Sequence, residues 1–270
     1  MVGASRVLSK LDGSRGECIE AFDGQKKIFY DYHPATGGKS SDRLIVISPG
    51  WLGSITFNSV AKVVASHGHD VAVVSHAESG FMDVFHPNES RSRRVHAVTK
   101  SAVHKSGKKG VHIIDHSNGH RDAVSAVEYQ LGRDTAELTY KIEKITAVDG
   151  VGSNGKPINP FLLVKEVASH VDHAGKLNPN YLKVIGYSAV NLLQRPITSS
   201  IEGMHTLFYD ARPSTAYFED AGIEVKRIFH EQDNVIPKPD DVSAIANAII
   251  MPGGHLEAPT NPETLLWAAD

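Results

Sequence analysis

The stretch IIDHSNGHRDA, residues 113–123, is the joint on which the reading of this chain turns. A β-branched run leads into it, a run with helical spacing leaves it, and Ser117 stands between the two. Ser is a preferred helix N-cap, because its hydroxyl accepts a backbone N–H that the first turn leaves unpaired. A serine on a tight strand-to-helix turn is also how a nucleophilic hydroxyl is raised above a sheet. The local sequence admits both readings, so the flanking pattern has to decide.

Upstream, GVHIID (110–115) is a continuous, mostly apolar run of strand length. RLIVIS (43–48), HDVAVVSH (69–76), IEKITAVDGVG (142–152) and VKRIFHE (225–231) are similar. Such runs suit strands buried on both faces. Downstream, SNGHRDAVSAVEYQL (117–131) places Ala123, Val127 and Leu131 on one helical face. SVAKVVASHG (59–68), ESRSRRVHAVTKSAVHKS (89–106), DDVSAIANAI (240–249) and PETLLWAA (262–269) also read as helices. ECIEAFDGQKKIFYDY (17–32) reads as a hairpin around Asp23-Gly24, a favoured tight-turn pair.

Buried strands alternating with helices predict an α/β fold, a mostly parallel central sheet with helices on both faces. Residues 153–215 break the rhythm with several Pro and Asn and no clear buried strand. They read as a cap inserted into a core made of residues 1–152 and 216–270. The cap carries large apolar residues such as Phe161, Leu162, Leu163, Tyr181, Leu192 and Phe208.

Composition narrows the partners. The 270 residues suit one large domain with an insertion, and 41% hydrophobic content supports a sizeable core. A formal net charge of −3 leaves no nucleic-acid footprint. No apolar run reaches membrane-spanning length, and the N-terminal residues lack an apolar core of signal-peptide length. The single cysteine, Cys18, excludes an intrachain disulfide and reads as a small buried residue. A cytoplasmic location is the expectation from these features.

Functional loops of open α/β sheets lie at the carboxyl ends of the strands. Ser117 sits there, within Asp115-His116-Ser117-Asn118-Gly119, to be compared with G-x-S-x-G. The second glycine is present, and a carboxylate replaces the first. A nucleophilic serine needs a base, and the base needs an orienting acid. Past later strands come HEQDNVIP (230–237), with Asp233, and MPGGHLEAPTNPE (251–263), with His255. Asp233 also suits an ordinary turn, and His255 an ordinary loop. Asp149, after the strand ending near 148, is a rival acid. His112, His116 and His120 recur at four-residue spacing, but they straddle a strand and a helix start and share no face. With His170 and His173 no third ligand is evident, so no metal is expected. No G-x-G-x-x-G follows a strand, so no dinucleotide cofactor is expected either.

With these segments in order, the chain resembles the α/β-hydrolase superfamily from about residue 17 to residue 269. ISPGWLGS resembles its oxyanion loop, with Ser48-Pro49 where a His is common. IIDHSNG resembles its nucleophile elbow. HEQDNVIP is similar to its acid loop, with His230 where a Gly is usual, and GGHLEAPTNPE is similar to its terminal histidine loop. The resemblance implies Ser117 as nucleophile, His255 as base, Asp233 as its partner, and the backbone N–H groups of Trp51 and Asn118 as oxyanion hole. It implies no cofactor. The expected activity is hydrolysis of a carboxylic ester of a small, hydrophobic acyl substrate; thioester, amide and carbon–carbon bond cleavage use the same groups. A non-catalytic binding protein and an acyltransferase stay open beside it, and the oligomeric state is not set by the sequence.

Overall fold

The computed structural model describes residues 16–23, 26–38, 40–50, 57–75, 87–133, 138–156, 158, 206–207, 209–255 and 257–270. The strands are β1 (Glu17–Asp23), β2 (Lys26–His33), β3 (Arg43–Ser48), β4 (Asp70–Val74), β5 (Gly110–His116), β6 (Lys141–Val148), β7 (Glu224–His230) and β8 (Ala248–Met251). The helices are α1 (Asn58–Ser66), α2 (Pro87–Ser106), α3 (Gly119–Leu131), α4 (Arg212–Asp220), α5 (Glu257–Thr260) and α6 (Pro262–Ala269). The strands form one sheet in the order β1-β2-β4-β3-β5-β6-β7-β8. β1–β2 and β2–β4 pair antiparallel and the other pairs are parallel. This is the α/β architecture expected from the alternation of strands and helices.

Both faces are covered because alternate residues of a strand point to opposite sides. Leu44 and Val46 of β3 join one core with Val95, Val98 and Ala102 of α2 and Val124 and Val127 of α3. Ile45 and Ile47 join the other, with Val60 and Val64 of α1 and Leu265 and Ala268 of α6. The unbroken apolar runs of β3 (Leu44–Ile47) and β4 (Val71–Val74) are therefore the signature of burial on both faces. α6 begins where the sequence says it should: the Asn261 side chain accepts from the Glu263 N–H at 3.0 Å, and Pro262 takes the first turn, where its missing N–H costs nothing.

Two expectations are corrected. Residues 240–249 are not a helix. A single 3₁₀ turn, Val242–Ala244, is capped by Asp241, Asn247 takes a φ of 52°, and β8 follows. The apolar run is too short for periodicity to separate helix from strand, and pairing of Arg227–His230 with Ala248–Met251 decides it. Cys18 is exposed rather than buried, because β1 is an edge strand. Most of residues 153–215 lie outside the described residues. Its two ends meet, with the Ala211 N–H donating to the Gly152 carbonyl at 3.2 Å. Among the described residues no helix is long and apolar enough to cross a membrane.

Candidate active site

The turn after β5 is built by close backbone contacts. Ser117 has a φ of 55°, a left-handed conformation that costs a non-glycine residue energy. Neighbours hold it there. The Ser117 N–H donates to the Val148 carbonyl of β6 at 3.2 Å, and the Ser117 carbonyl accepts from Val151 at 3.1 Å and His120 at 3.2 Å. A Cβ on Gly119 would collide with the Ser48 carbonyl oxygen of β3, and one on Gly50 would stand 2.8 Å from the Ser117 Cβ. Both glycines are therefore required by backbone approach. Ser117 is not the N-cap of α3: that position is Asn118, and its side chain makes no capping bond.

The Ser117 hydroxyl instead meets a histidine. His255 Nε2 lies 3.0 Å from Ser117 Oγ, and His255 Nδ1 lies 2.8 Å from Asp233 Oδ2. The other oxygen of Asp233 accepts from the N–H groups of Val235 (2.7 Å) and Ile236 (2.8 Å), which fixes the carboxylate in its turn. The two loops run side by side because the ladder of β7 and β8 continues past the strands: Glu231 N–H donates to the Met251 carbonyl and Gln232 N–H to the Gly253 carbonyl. Asp233 and His255 are buried. Since a carboxylate only accepts, His255 carries its proton on Nδ1 and presents the Nε2 lone pair to the serine.

His116 supports this arrangement from behind. Its Nε2 donates to the His255 carbonyl at 2.9 Å, and its ring stands 4.7 Å from the His255 ring and 5.6 Å from Phe57. Burial, and then His255, push its pKa well down, so it stays neutral. The carboxylate at the first elbow position is also accounted for. Asp115 is fully buried, and its Oδ2 lies 3.0 Å from His120 Nδ1 in the first turn of α3. Burial raises its pKa, and His120 opposes the rise.

Of the oxyanion-hole expectations, Trp51 lies outside the described residues. Asn118 directly follows the serine at the start of α3, where backbone N–H groups lack helical partners. Its side-chain oxygen accepts from the Thr206 hydroxyl at 2.9 Å, and Thr206 in turn accepts from Arg121 at 3.0 Å. That chain ties the segment returning from the insertion to the elbow.

The rival acid has a different partner. Asp149, with a φ of 45°, accepts from the His230 backbone N–H at 2.9 Å and lies 2.5 Å from His230 Nδ1. Sequence reasoning singled out each residue but missed the pair. The signal is the register between β6 and β7, Val148 opposite Ile228, which brings Asp149, just beyond β6, beside His230, the last residue of β7. The spaced histidines serve three separate purposes, since His112 bonds Thr146 at 2.8 Å. His170 and His173 lie outside the described residues. Ligand atoms of His116, Asp149 and His255 come within 4.8 Å of one another. Both oxygens of Asp149 and both ring nitrogens of His255 already hold hydrogen bonds, which a metal ion would have to displace.

No protein-family model and no curated protein sequence matches the chain. Solved structures do. An N-formylmaleamic acid deformylase from Pseudomonas putida superposes with a TM-score of 0.60 at 16% identity, over 94% of this chain and 100% of that one. A 2-hydroxy-6-oxo-6-phenylhexa-2,4-dienoate hydrolase from a Rhodococcus strain gives 0.60 at 13% identity, over 94% and 97%. An α/β-hydrolase fold protein from Burkholderia ambifaria gives 0.51 at 15% identity, over 92% and 98%. The chain has the α/β-hydrolase fold.

Proposed function

We propose that this chain, starting from its α/β-hydrolase fold, is a serine hydrolase that cleaves a carboxylic ester of a small hydrophobic substrate. One observation carries the reading: the relay from Ser117 Oγ through His255 to Asp233, with links of 3.0 and 2.8 Å. In this mechanism His255 Nε2 takes the serine proton as Oγ attacks the acyl carbonyl. Asp233 holds the tautomer and offsets the charge of the imidazolium. The oxyanion rests on backbone N–H groups of Asn118 and Trp51, aided by the positive end of α3. The imidazolium then protonates the leaving alcohol. Water, activated by the same histidine, releases the acid and restores the serine.

The hydrolytic activities named for structural neighbours support the reaction class, and the apolar content of residues 153–215 supports a hydrophobic acyl group under a cap. The test is labelling with a fluorophosphonate probe, alongside turnover of p-nitrophenyl esters of graded chain length. Wild type should react with both, and Ser117→Ala should lose labelling and nearly all turnover while keeping its melting temperature. Undiminished turnover in that variant refutes the assignment. Added acceptor alcohols that divert the product to a new ester would move the reading to acyl transfer.

A further inference from the structure

The triad is flanked by a second buried histidine–carboxylate pair that the mechanism above does not use. Asp149 and His230 are both fully buried. The Asp149 backbone is pinned by its N–H donating to the Ile228 carbonyl at 2.9 Å, and both carboxylate oxygens are held by His230. His230 is braced in turn by the Thr264 hydroxyl of α6, 3.3 Å from its Nε2. So fixed, an Asp149 oxygen lies within 4.8 Å of a ring nitrogen of His255. The pair is placed by the turn after β6 and the last residue of β7, next to the loop that carries Asp233.

We propose that Asp149, clamped by His230, is a second positioning carboxylate for His255, acting alongside Asp233 rather than in its place. The inference rests on the serine-hydrolase reading. Asp233 accepts the hydrogen bond of the His255 Nδ1–H and so sets the tautomer. Asp149, within 4.8 Å of a His255 ring nitrogen, bears on it through charge. An anion at this range favours the imidazolium over the neutral ring. Other groups bear on the same site. Asp233 repels Asp149, His116 approaches from the end of β5 as a neutral ring, and the Asp115–His120 pair lies across Gly150, whose added Cβ would stand 2.9 Å from His120 Cγ. Burial, and then Asp233, push the Asp149 carboxyl up to about 6, while His230 and His255 pull it down. Both of its oxygens sit as acceptors on His230, the arrangement of a carboxylate.

The sign of the effect separates this role from a structural one. Activity requires neutral His255 before attack and stabilises its charged form during attack. In Asp149→Asn the acid limb of kcat/KM should move down by about one pH unit, because the lost anion no longer holds the proton on His255. The plateau kcat should fall about tenfold, the equivalent of that same unit. A merely structural role lowers activity without moving the limb, and an unmoved limb overturns the proposal. If Asp149→Asn does not fold, the wild type carries the test. The His255 ¹³Cε1 and Asp149 carboxyl ¹³C resonances should titrate as a coupled pair, and independent titration overturns it. Wild type that neither hydrolyses esters nor labels would instead refute the hydrolase reading.

Discussion

Replacing Asp233 by Asn changes one atom and inverts one hydrogen bond. The Oδ1 position accepts from two backbone N–H groups, at 2.7 and 2.8 Å. Only the amide oxygen of Asn can satisfy both, so the NH₂ is forced into the place of Oδ2, 2.8 Å from His255 Nδ1. Two donors then face each other. The clash is relieved when His255 moves its proton to Nε2 and accepts from the amide. That leaves an N–H, not a lone pair, 3.0 Å from Ser117 Oγ. The base can no longer accept the serine proton, and kcat should fall by about 10⁴, or about 5.5 kcal/mol of transition-state stabilisation. Exchange of a charge-assisted bond for a neutral one should cost about 1 kcal/mol of stability, a melting shift of about 2–4 °C at this chain length. The assay is ester turnover normalised to folded protein by circular dichroism, with the phosphonate labelling rate measured in parallel. A variant that folds and retains kcat within tenfold of wild type would refute the tautomer argument.

Two further perturbations test the elbow and the sheet. Gly119→Ala would drive a methyl group against the Ser48 carbonyl, so backbone rather than a side chain must yield. Stability should fall by about 1–3 kcal/mol and kcat by about 10², as the hydroxyl is displaced; an unchanged melting temperature and kcat would show that the turn has slack. His112 is neutral and buried in β5, with its pKa pushed well down by burial and then by Lys144. The unfolded chain takes up a proton at this residue below its ordinary value near 6.5 while the folded chain does not, so stability is present above that pH and is lost as pH falls. His112→Gln should therefore flatten the decline of melting temperature between about pH 7 and pH 5, which differential scanning calorimetry reads directly. An equally steep decline would place the acid sensitivity elsewhere.

The sheet was legible because its central strands β3 and β4 carry unbroken apolar runs, Leu44–Ile47 and Val71–Val74, a pattern that burial on both faces explains. PETLLWAA was legible to the residue because Asn261 and Pro262 mark its start chemically. The run at 240–249 was not, because its few apolar residues fit either period and the neighbouring strand settles the matter. Ser117, Asp233 and His255 could be named because each follows a strand at the same edge of the sheet, yet their separations depend on loop geometry that spacing does not encode. The Asp149–His230 pair was illegible for another reason. Its members are 81 residues apart and meet only through the lateral register of two parallel strands. Asp115 departs from the elbow pattern, and His120, five residues onward in the first turn of α3, supplies its partner.

The way the sheet divides the site also sets an order of assembly. The elbow draws on β3, β5 and β6, all inside the sheet. The acid and base loops hang from β7 and β8, the last strands both along the chain and at that edge. A chain emerging from its N-terminus can complete the strained serine turn before the residues that activate it exist. Non-local parallel pairing is slow to form, so the hydroxyl would stand for a time without its base. Under the proposed serine-hydrolase reading, reactivity would be a checkpoint on completion: a molecule whose β8 edge had not docked would lack the base that arms the serine.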